Sequence, residues 1–374
     1  MLNSLEIKNY RNLKHLQIQK LGKVNLIVGK NNTGKTSVLE AISIHLYKGS
    51  FYWILKLLEE RDEYRNGNNS EKSVEENIKV LANLHYNRDW GYDIIQQIQI
   101  GDKVEMSNKN ELHNISNVTA LGFVEYHDQI EERPEGNVRK RVIGQKSLFD
   151  VESQIGYQII YHTNNQLITL NRSSLRPMLG NDRLLENIQF VRTKNISREE
   201  NGSLWDKIVL TPNENVVVEA LTIIEPNIER VSFIGTDSRA SRRLAVAKIK
   251  NQEPVPISSM GDGINRILTI ILAIVNCKDG YILIDEFENG LHHSVQGKLW
   301  EVIFYLSHKL NIQVFATSHS SDSVRSFAQT LKDEGLPEEF GCLVRLENHN
   351  GNVIAREYDY DVLQSATEYN IETR

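Results

Sequence analysis

The chain has 374 residues, 40% of them apolar and 25% charged, with a net charge of −6. That length allows one large or two medium domains with a full core, and the balance is that of an ordinary water-soluble protein. No overall basic field advertises nucleic acid, so such a ligand would need a local basic groove. Two cysteines, Cys277 and Cys342, are too few for a metal cluster and fit a reduced, cytoplasmic chain. The N-terminus MLNSLEIKNYRNLKHL is polar and lacks a signal-peptide core, and the longest apolar run, Ile267 to Val275, is too short to span a bilayer.

Leu2 to Leu26 predicts two strands around a polar turn, with Arg11 on the turn side. Arg11 is either a solvated surface arginine or a partner of the loop that follows one strand later. Val24 to Val28 is short, apolar and rich in β-branched residues, the pattern of a buried strand. Gly29-Lys30-Asn31-Asn32-Thr33-Gly34-Lys35-Thr36 then fits G-x-x-x-x-G-K-[ST]. Ser37 to Tyr47 predicts a helix, with Val38, Ala41, Ile42 and Leu46 at helical spacing. Glycines 29 and 34 allow the backbone to turn its N–H groups inward around phosphate oxygens, and the helix adds its positive N-terminal end. In that setting Lys35 would reach the β- and γ-phosphates of ATP and Thr36 would bind Mg²⁺.

Phe51 to about Tyr86 predicts helix, interrupted by the polar Asn66 to Ser70, without sustained heptads. From about Asp93 the pattern changes to period two and predicts an antiparallel β region, with a hairpin turn at Asn164-Asn165. Arg139, Lys140, Arg141 and Lys146 read there as a solvated strand face or loop. Ile188 to Val191 is a short strand, NVVVEALTIIEP a helix ending at Pro226, and Ile228 to Ile234 a strand. Arg239, Arg242 and Arg243 lie in the next loop, either an exposed turn or a contact for nucleic acid, phosphate or a partner.

The second half supplies what a phosphate loop needs. Gly280 to Glu286 is an apolar strand ending in two carboxylates, which a parallel sheet would deliver to the edge where α/β ligands bind. Asp285 would hold Mg²⁺ and Glu286 would act as the base for the attacking water. Ser259-Met260-Gly261-Asp262-Gly263 opens a strongly apolar helix and forms a second anion-binding helix start. One nucleotide needs only one, so its natural use is toward the γ-phosphate held by another copy, the plain alternative being an N-cap with a glycine turn. Another buried strand, Ile312 to Ala316, leads to His319, and the tail holds a helix near Ser321 to Leu331 and a hairpin turning at Asn350-Gly351. His292 and His293 read as a solvated turn.

Taken in order, LEIKNYRNL, VGKNNTGKTSVLEAI, SSMGDG, ILIDEFENGLH and FATSHS resemble an ABC-type ATPase head of the RecF/SMC/OLD kind, and most of all the stand-alone AAA-family ATP-binding proteins of bacterial anti-phage, OLD-like systems. The likeness extends to the closing LQSATEYNIETR and is weak from about residue 50 to 185. It implies that Gly29 to Thr36, with the adjoining Ser37, is Walker A; that Ser259 to Gly263 is the signature motif acting in trans; that Asp285 and Glu286 are Walker B. It further implies that Asn289 holds the D-loop position, that His319 is the switch histidine, and that Arg11 lies near the phosphates. The signature departs from LSGGQ, with Met260 at the first glycine position, and no glutamine is assigned to the Q-loop, for which Gln189 to Asn195 is the candidate region. The stretch between the Walker motifs is too long for a minimal transporter head and too short for a long SMC arm. The segment after His319 has no acidic cluster suited to a TOPRIM nuclease, so a nuclease or toxin would be a separate chain.

The expected fold is α/β, an ABC-type P-loop ATPase with a mostly parallel core sheet, an antiparallel β lobe and a helical insertion. Its expected division is core pieces 1–50 and 185–374 around an insertion at 51–184. The expected function is ATP binding and hydrolysis by a dimer closed around ATP, catalysed by Lys35, Glu286 and His319, which controls a separate effector in anti-phage defence. The rivals are a RecF-like DNA-binding repair ATPase and an ATP-bound scaffold that sequesters a toxin or nuclease.

Overall fold

The computed structural model of the chain describes residues 1–65, 73–93, 96–102, 117–131, 138–144, 153–170, 175, 187–193, 198–235, 243–337 and 339–358. Arg239, Arg242, Lys146, the break at Asn66 to Ser70 and the closing LQSATEYNIETR lie outside these residues. β1 (Leu5–Tyr10) and β2 (Leu13–Ile18) pair about Arg11 and Asn12, and Arg11 closes the turn in a left-handed conformation with φ 53°. β3 (Val24–Gly29) is buried along its whole length. α1 (Lys35–Leu46) follows and is buried continuously from Ser37 onward, so it shows no polar face. Such a helix lies between two layers rather than on a surface.

Residues 51–93 give α2 (Phe51–Glu60), capped by the Ser50 side chain, and α3 (Val74–Ala82), which starts with a capping box between Ser73 and Glu76. The antiparallel sheet then takes β4 (Ile98–Gly101), β5 (Val118–Glu131), β6 (Val138–Ile143), β7 (Gln154–Tyr161) and β8 (Asn164–Thr169). Its order is β2-β1-β4-β5-β7-β8 with β6 also on β5, so two strands of this sheet come from the N-terminal piece of the chain. The hairpin turn expected at Asn164-Asn165 falls at His162-Thr163 instead. Tyr161 pairs with Asn164, and His162 rather than an asparagine takes the positive φ of 51°. Both asparagines therefore extend β8.

The central sheet runs β16-β15-β3-β14-β13-β9 and combines β9 (Ile188–Val191), β13 (Tyr281–Ile284), β14 (Gln313–Ser318), β15 (Gly341–His349) and β16 (Asn352–Tyr358) with β3. All its pairings are parallel except the edge hairpin of β15 with β16, which turns at Asn350-Gly351 as the sequence predicts. Alternate residues feed two cores. Val24, Leu26, Val314 and Ala316 face one cluster, while Ile27, Leu283 and Phe315 face the other. Each fully buried Val, Leu, Ile or Phe among them stabilises the fold by about 1.5–3 kcal/mol.

The first cluster is covered by α5 (Pro212–Ile224), α6 (Asp262–Val275), α7 (His293–Lys309) and α8 (Ser321–Asp333). Trp300 on α7 stacks on Phe287 at 4.0 Å. α4 (Arg198–Asp206) is a further helix on this side, inside a stretch whose polarity hid it from the sequence reading. β10 (Ile228–Gly235), β11 (Arg243–Ile249) and β12 (Val255–Pro256) form a separate three-stranded sheet. The second cluster joins α1 and α2 to the antiparallel sheet.

Candidate functional site

The parallel strands finish together. Val28 lies opposite Ser318, and Ile284 lies opposite both Ala316 and Val191. The segments that follow β3, β14, β13 and β9 therefore leave along one edge, where an α/β sheet presents its ligands. The Thr36 hydroxyl donates to both oxygens of Asp285, at 3.1 and 3.2 Å, across 249 positions of sequence.

Between β3 and α1 the loop is held open by its two glycines. At Gly29, φ 154°, a side chain would start 2.7 Å from the Leu346 carbonyl and the Thr33 hydroxyl. At Gly34, φ 93°, it would meet the Asn12 amide at 2.8 Å. Lys35 Nζ donates to the Gly29 and Lys30 carbonyls at 2.8 and 3.1 Å, so the ammonium is folded over the loop that it serves. Burial lowers its pKa from the usual lysine range, and Glu288, Asp285 and Glu286 oppose that effect. A cavity of about 820 Å³ opens here, and Asn31, Asn32, Gly34, Lys35, Thr36, Ser37, Asp285 and Glu286 are among the residues that line it. Lys30 is exposed and Thr33 is turned back onto the Lys30 carbonyl at 2.9 Å, and neither lines the cavity.

Asp285 is buried and receives three hydroxyls, from Thr36, from Thr317 at 2.7 Å and from Thr193 at 3.4 Å. Thr317 also accepts the Glu286 N–H at 2.9 Å, and Glu286 holds a left-handed φ of 47°. A bulky residue in that conformation costs about 1–3 kcal/mol and persists only where its surroundings enforce it. His319 lies just outside the cavity, with its N–H and Nδ1 both on Glu288 Oε1 at 2.8 and 2.9 Å. Asn289 donates to the Thr193 carbonyl at 3.0 Å, which ties the segment after Glu286 to the region that follows β9.

Arg11 is not the solvated arginine that one reading allowed. Its side chain is 7% exposed, with Nε 2.8 Å from Glu40 and Nη1 3.0 Å from Glu63. Burial would lower its pKa, but Tyr10, Glu40 and Glu63 raise it by more, so it is permanently charged. It lines the cavity, and its Nη2 is buried with no hydrogen-bond partner among the described residues. Glu40, fully buried on α1, also accepts from Tyr10 and from Arg61 at 2.8 Å.

Ser259, Met260, Gly261 and Gly263, expected to form the signature, are not among the residues that line this cavity. Residues Ile257–Met260 form a single 3-10 turn, and Gly261 precedes α6 at φ 109° with nothing within 4 Å of where a side chain would be. Ser259 is exposed and bonds the Pro256 carbonyl at 2.6 Å, while Met260 packs against the core. Gly263 lies near Gly290 and Leu291.

Sequence reasoning missed Thr317, Thr193, Glu288, Glu40 and Arg266. Arg266, on α6, donates to the Arg192 carbonyl at 2.7 Å and the Asp285 carbonyl at 3.1 Å, and thus ties α6 to the ends of β9 and β13. Position at a strand end was a signal for Thr317. Nothing in the sequence marks Arg266 or Glu40, whose roles depend on side chains meeting across the fold.

A family model described as "AAA domain, putative AbiEii toxin, Type IV TA system" matches residues 24–325. Over 380 residues, 96% of this chain and 95% of the other, the sequence is 25% identical to a Helicobacter pylori protein named ATP/GTP phosphatase. A 50-residue segment, 13% of this chain, is 48% identical to the DNA replication and repair protein RecF of Clostridioides difficile, but spans only 14% of that protein. Among solved structures, an SMC head bound to the C-winged helix domain of ScpA aligns over 98% of this chain and 99% of that one, with a TM-score of 0.49 and 12% identity.

Proposed function

The chain belongs to the AAA-domain family whose model it matches, as an ABC-type ATPase head, and from that premise we propose that it binds and hydrolyses ATP in a dimer and thereby controls a separate effector protein. The observation that carries the reading is the direct meeting of Thr36 with Asp285, because phosphoryl chemistry needs a phosphate loop and an acidic strand end in one place. The full-length similarity to a protein named as a nucleotide phosphatase supports hydrolysis.

Thr36 and Asp285 are hard oxygen donors suited to Mg²⁺, which takes one or two carboxylates and leaves its other positions to water and phosphate. Bound there, the ion would neutralise charge on the phosphates. Lys35 places its ammonium against the β- and γ-phosphates, and the N–H groups from Gly34 onward bind the phosphate oxygens. Glu286, held by Thr317, accepts the proton of the attacking water. His319, fixed by Glu288, orients groups at the γ-phosphate end.

The signature Ser259 to Gly263 lies outside its own chain's cavity with open space before Gly261, which supports its use by a second copy. The toxin wording of the family description supports a place in a defence or toxin–antitoxin pair, with a nuclease or toxin as the effector. No helix among the described residues is long and apolar enough to cross a membrane. Glu286→Gln tests the catalytic assignment. The variant should bind ATP normally and lose turnover by about 10²-fold or more. Turnover at the parent rate would remove Glu286 from the mechanism.

A further inference from the structure

The cavity is larger than a phosphate site requires, and its remaining wall comes from the stretch 51–93, for which the ATPase motifs give no role. Its direction can be followed residue by residue. Asp285 and Glu286 mark the γ-phosphate end beside Thr36. At the other side of the loop Gly34 lies against the Asn12 amide. The neighbouring main chain of Arg11 bonds the next segment, its N–H donating to the Leu84 carbonyl at 2.8 Å and its carbonyl accepting from the Asn87 N–H at 3.2 Å. Asn83, Asn87 and Arg88 line the cavity there. A nucleotide whose terminal phosphate meets Asp285 and Glu286 therefore extends its nucleoside toward this turn.

The turn is built rigidly. Asn87 and Arg88 are consecutive non-glycine residues with positive φ, 53° and 57°. Beside them His85, which also lines the cavity, is buried, bonded to Tyr157 and tilted against Phe123. Burial lowers the His85 pKa to about 4 and keeps the ring neutral, so it acts as an anchor. Asn87 and Arg88 themselves are exposed, and among the described residues their side chains make no hydrogen bond or ion pair. The other arginines of the cavity, Arg11 and Arg61, are committed to Glu40 and Glu63. None of the residues lining the cavity is Phe, Tyr or Trp.

We propose that the turn from Asn83 to Arg88 is the nucleoside subsite, which holds the purine and ribose of a nucleoside triphosphate through the Arg88 guanidinium plane and the Asn87 amide. This rests on the reading of Gly29 to Thr36 as the phosphate site. A guanidinium offers a flat face to a base, and the His85 imidazole, which also lines the cavity, is already bonded to Tyr157. An amide donates and accepts, so it meets the edge of adenine or of guanine. Base selection is therefore weak, and ATP and GTP should bind within about tenfold of each other.

The test is calorimetry on the full chain with Mg²⁺ and three probes: ATP, GTP and inorganic tripolyphosphate, which carries the phosphates without a nucleoside. Arg88→Ala should weaken ATP and GTP by about tenfold and tripolyphosphate by less than about threefold. Asn87→Gly keeps the left-handed backbone that glycine accepts readily and should weaken ATP and GTP, but not tripolyphosphate, in the same sense. Because both side chains are exposed and unpaired, the melting temperature should match that of the parent. Parent-like ATP affinity in both variants would overturn the subsite. Equal losses for ATP and tripolyphosphate would also overturn it, by placing these residues on the phosphates. Failure of the underlying phosphate site reads differently: the parent would bind no tripolyphosphate, or Lys35→Ala would leave its affinity unchanged.

Discussion

Three hydroxyls converge on the Asp285 carboxylate, and Thr317 has the greatest influence because it serves two residues at once. Its Oγ1 donates to Asp285 at 2.7 Å and accepts the Glu286 N–H at 2.9 Å, and it is fully buried. Thr317→Val keeps the shape but removes both bonds, and leaves the Glu286 N–H without a partner. A buried donor left unpaired costs about 1–3 kcal/mol. The expected result is a lower melting temperature together with a turnover loss larger than any change in ATP affinity, read by thermal unfolding and steady-state kinetics. An unchanged turnover in a destabilised Thr317→Val protein would show that Glu286 needs no such support. The motif residues were legible because phosphate chemistry constrains residue type and spacing together. Arg266 was not, since a guanidinium can bond almost anything until the fold chooses its neighbour, and Thr317 was marked only by its place at a strand end.

At the scale of elements, α1 connects the phosphate loop to both layers of the molecule. Its start carries Lys35 and Thr36, its middle carries the buried Glu40, and near its end His45 contacts Thr119 of β5 at 3.1 Å. Burial is the main reason that the His45 pKa falls to about 4 from 6.5. The unfolded chain therefore takes up a proton first as the medium is acidified. The stability due to neutral His45 is fully present above about pH 6.5 and is lost as pH falls toward about 4, by roughly 1 kcal/mol per pH unit crossed. The parent melting temperature should drop across that window, and His45→Gln should flatten the drop. Equal slopes in the two proteins would show that His45 does not carry the effect. The sequence predicted α1 by its spacing and β3, β9, β13 and β14 by their apolar runs, because buried parallel strands admit little else. It misplaced the turn between β7 and β8, because Asn-Asn is a good turn pair and only cross-strand pairing decides that His162 takes the bend. α4 was missed because its sequence, REENGSLWD, is polar apart from two residues that reach the core.

For the whole molecule, the cavity beside Thr36 and Asp285 takes no lining residue from Ser259, Met260, Gly261 or Gly263 at the start of α6 among the described residues. Arg266 joins these two parts, since it sits on α6 and bonds the main chain at Asp285. In a symmetric pair each chain would give its Walker motifs to one nucleotide and its signature to the other. Neither the pairing nor its partner effector follows from composition, because an interface is a property of two surfaces and the sequence displays only one. Mixing two inactive variants tests the pairing most directly. Ser259→Arg blocks the signature and spares Walker A, while Lys35→Ala does the reverse. A mixed dimer then contains one intact composite site, formed by Walker A of the first chain and the signature of the second. Equal mixing with free exchange should restore about a quarter of the parent ATPase rate, since half of the dimers are mixed and each has one working site of two. Absence of any recovery in a mixture shown to contain mixed dimers, or full ATPase activity in a strictly monomeric parent protein, would contradict the shared site.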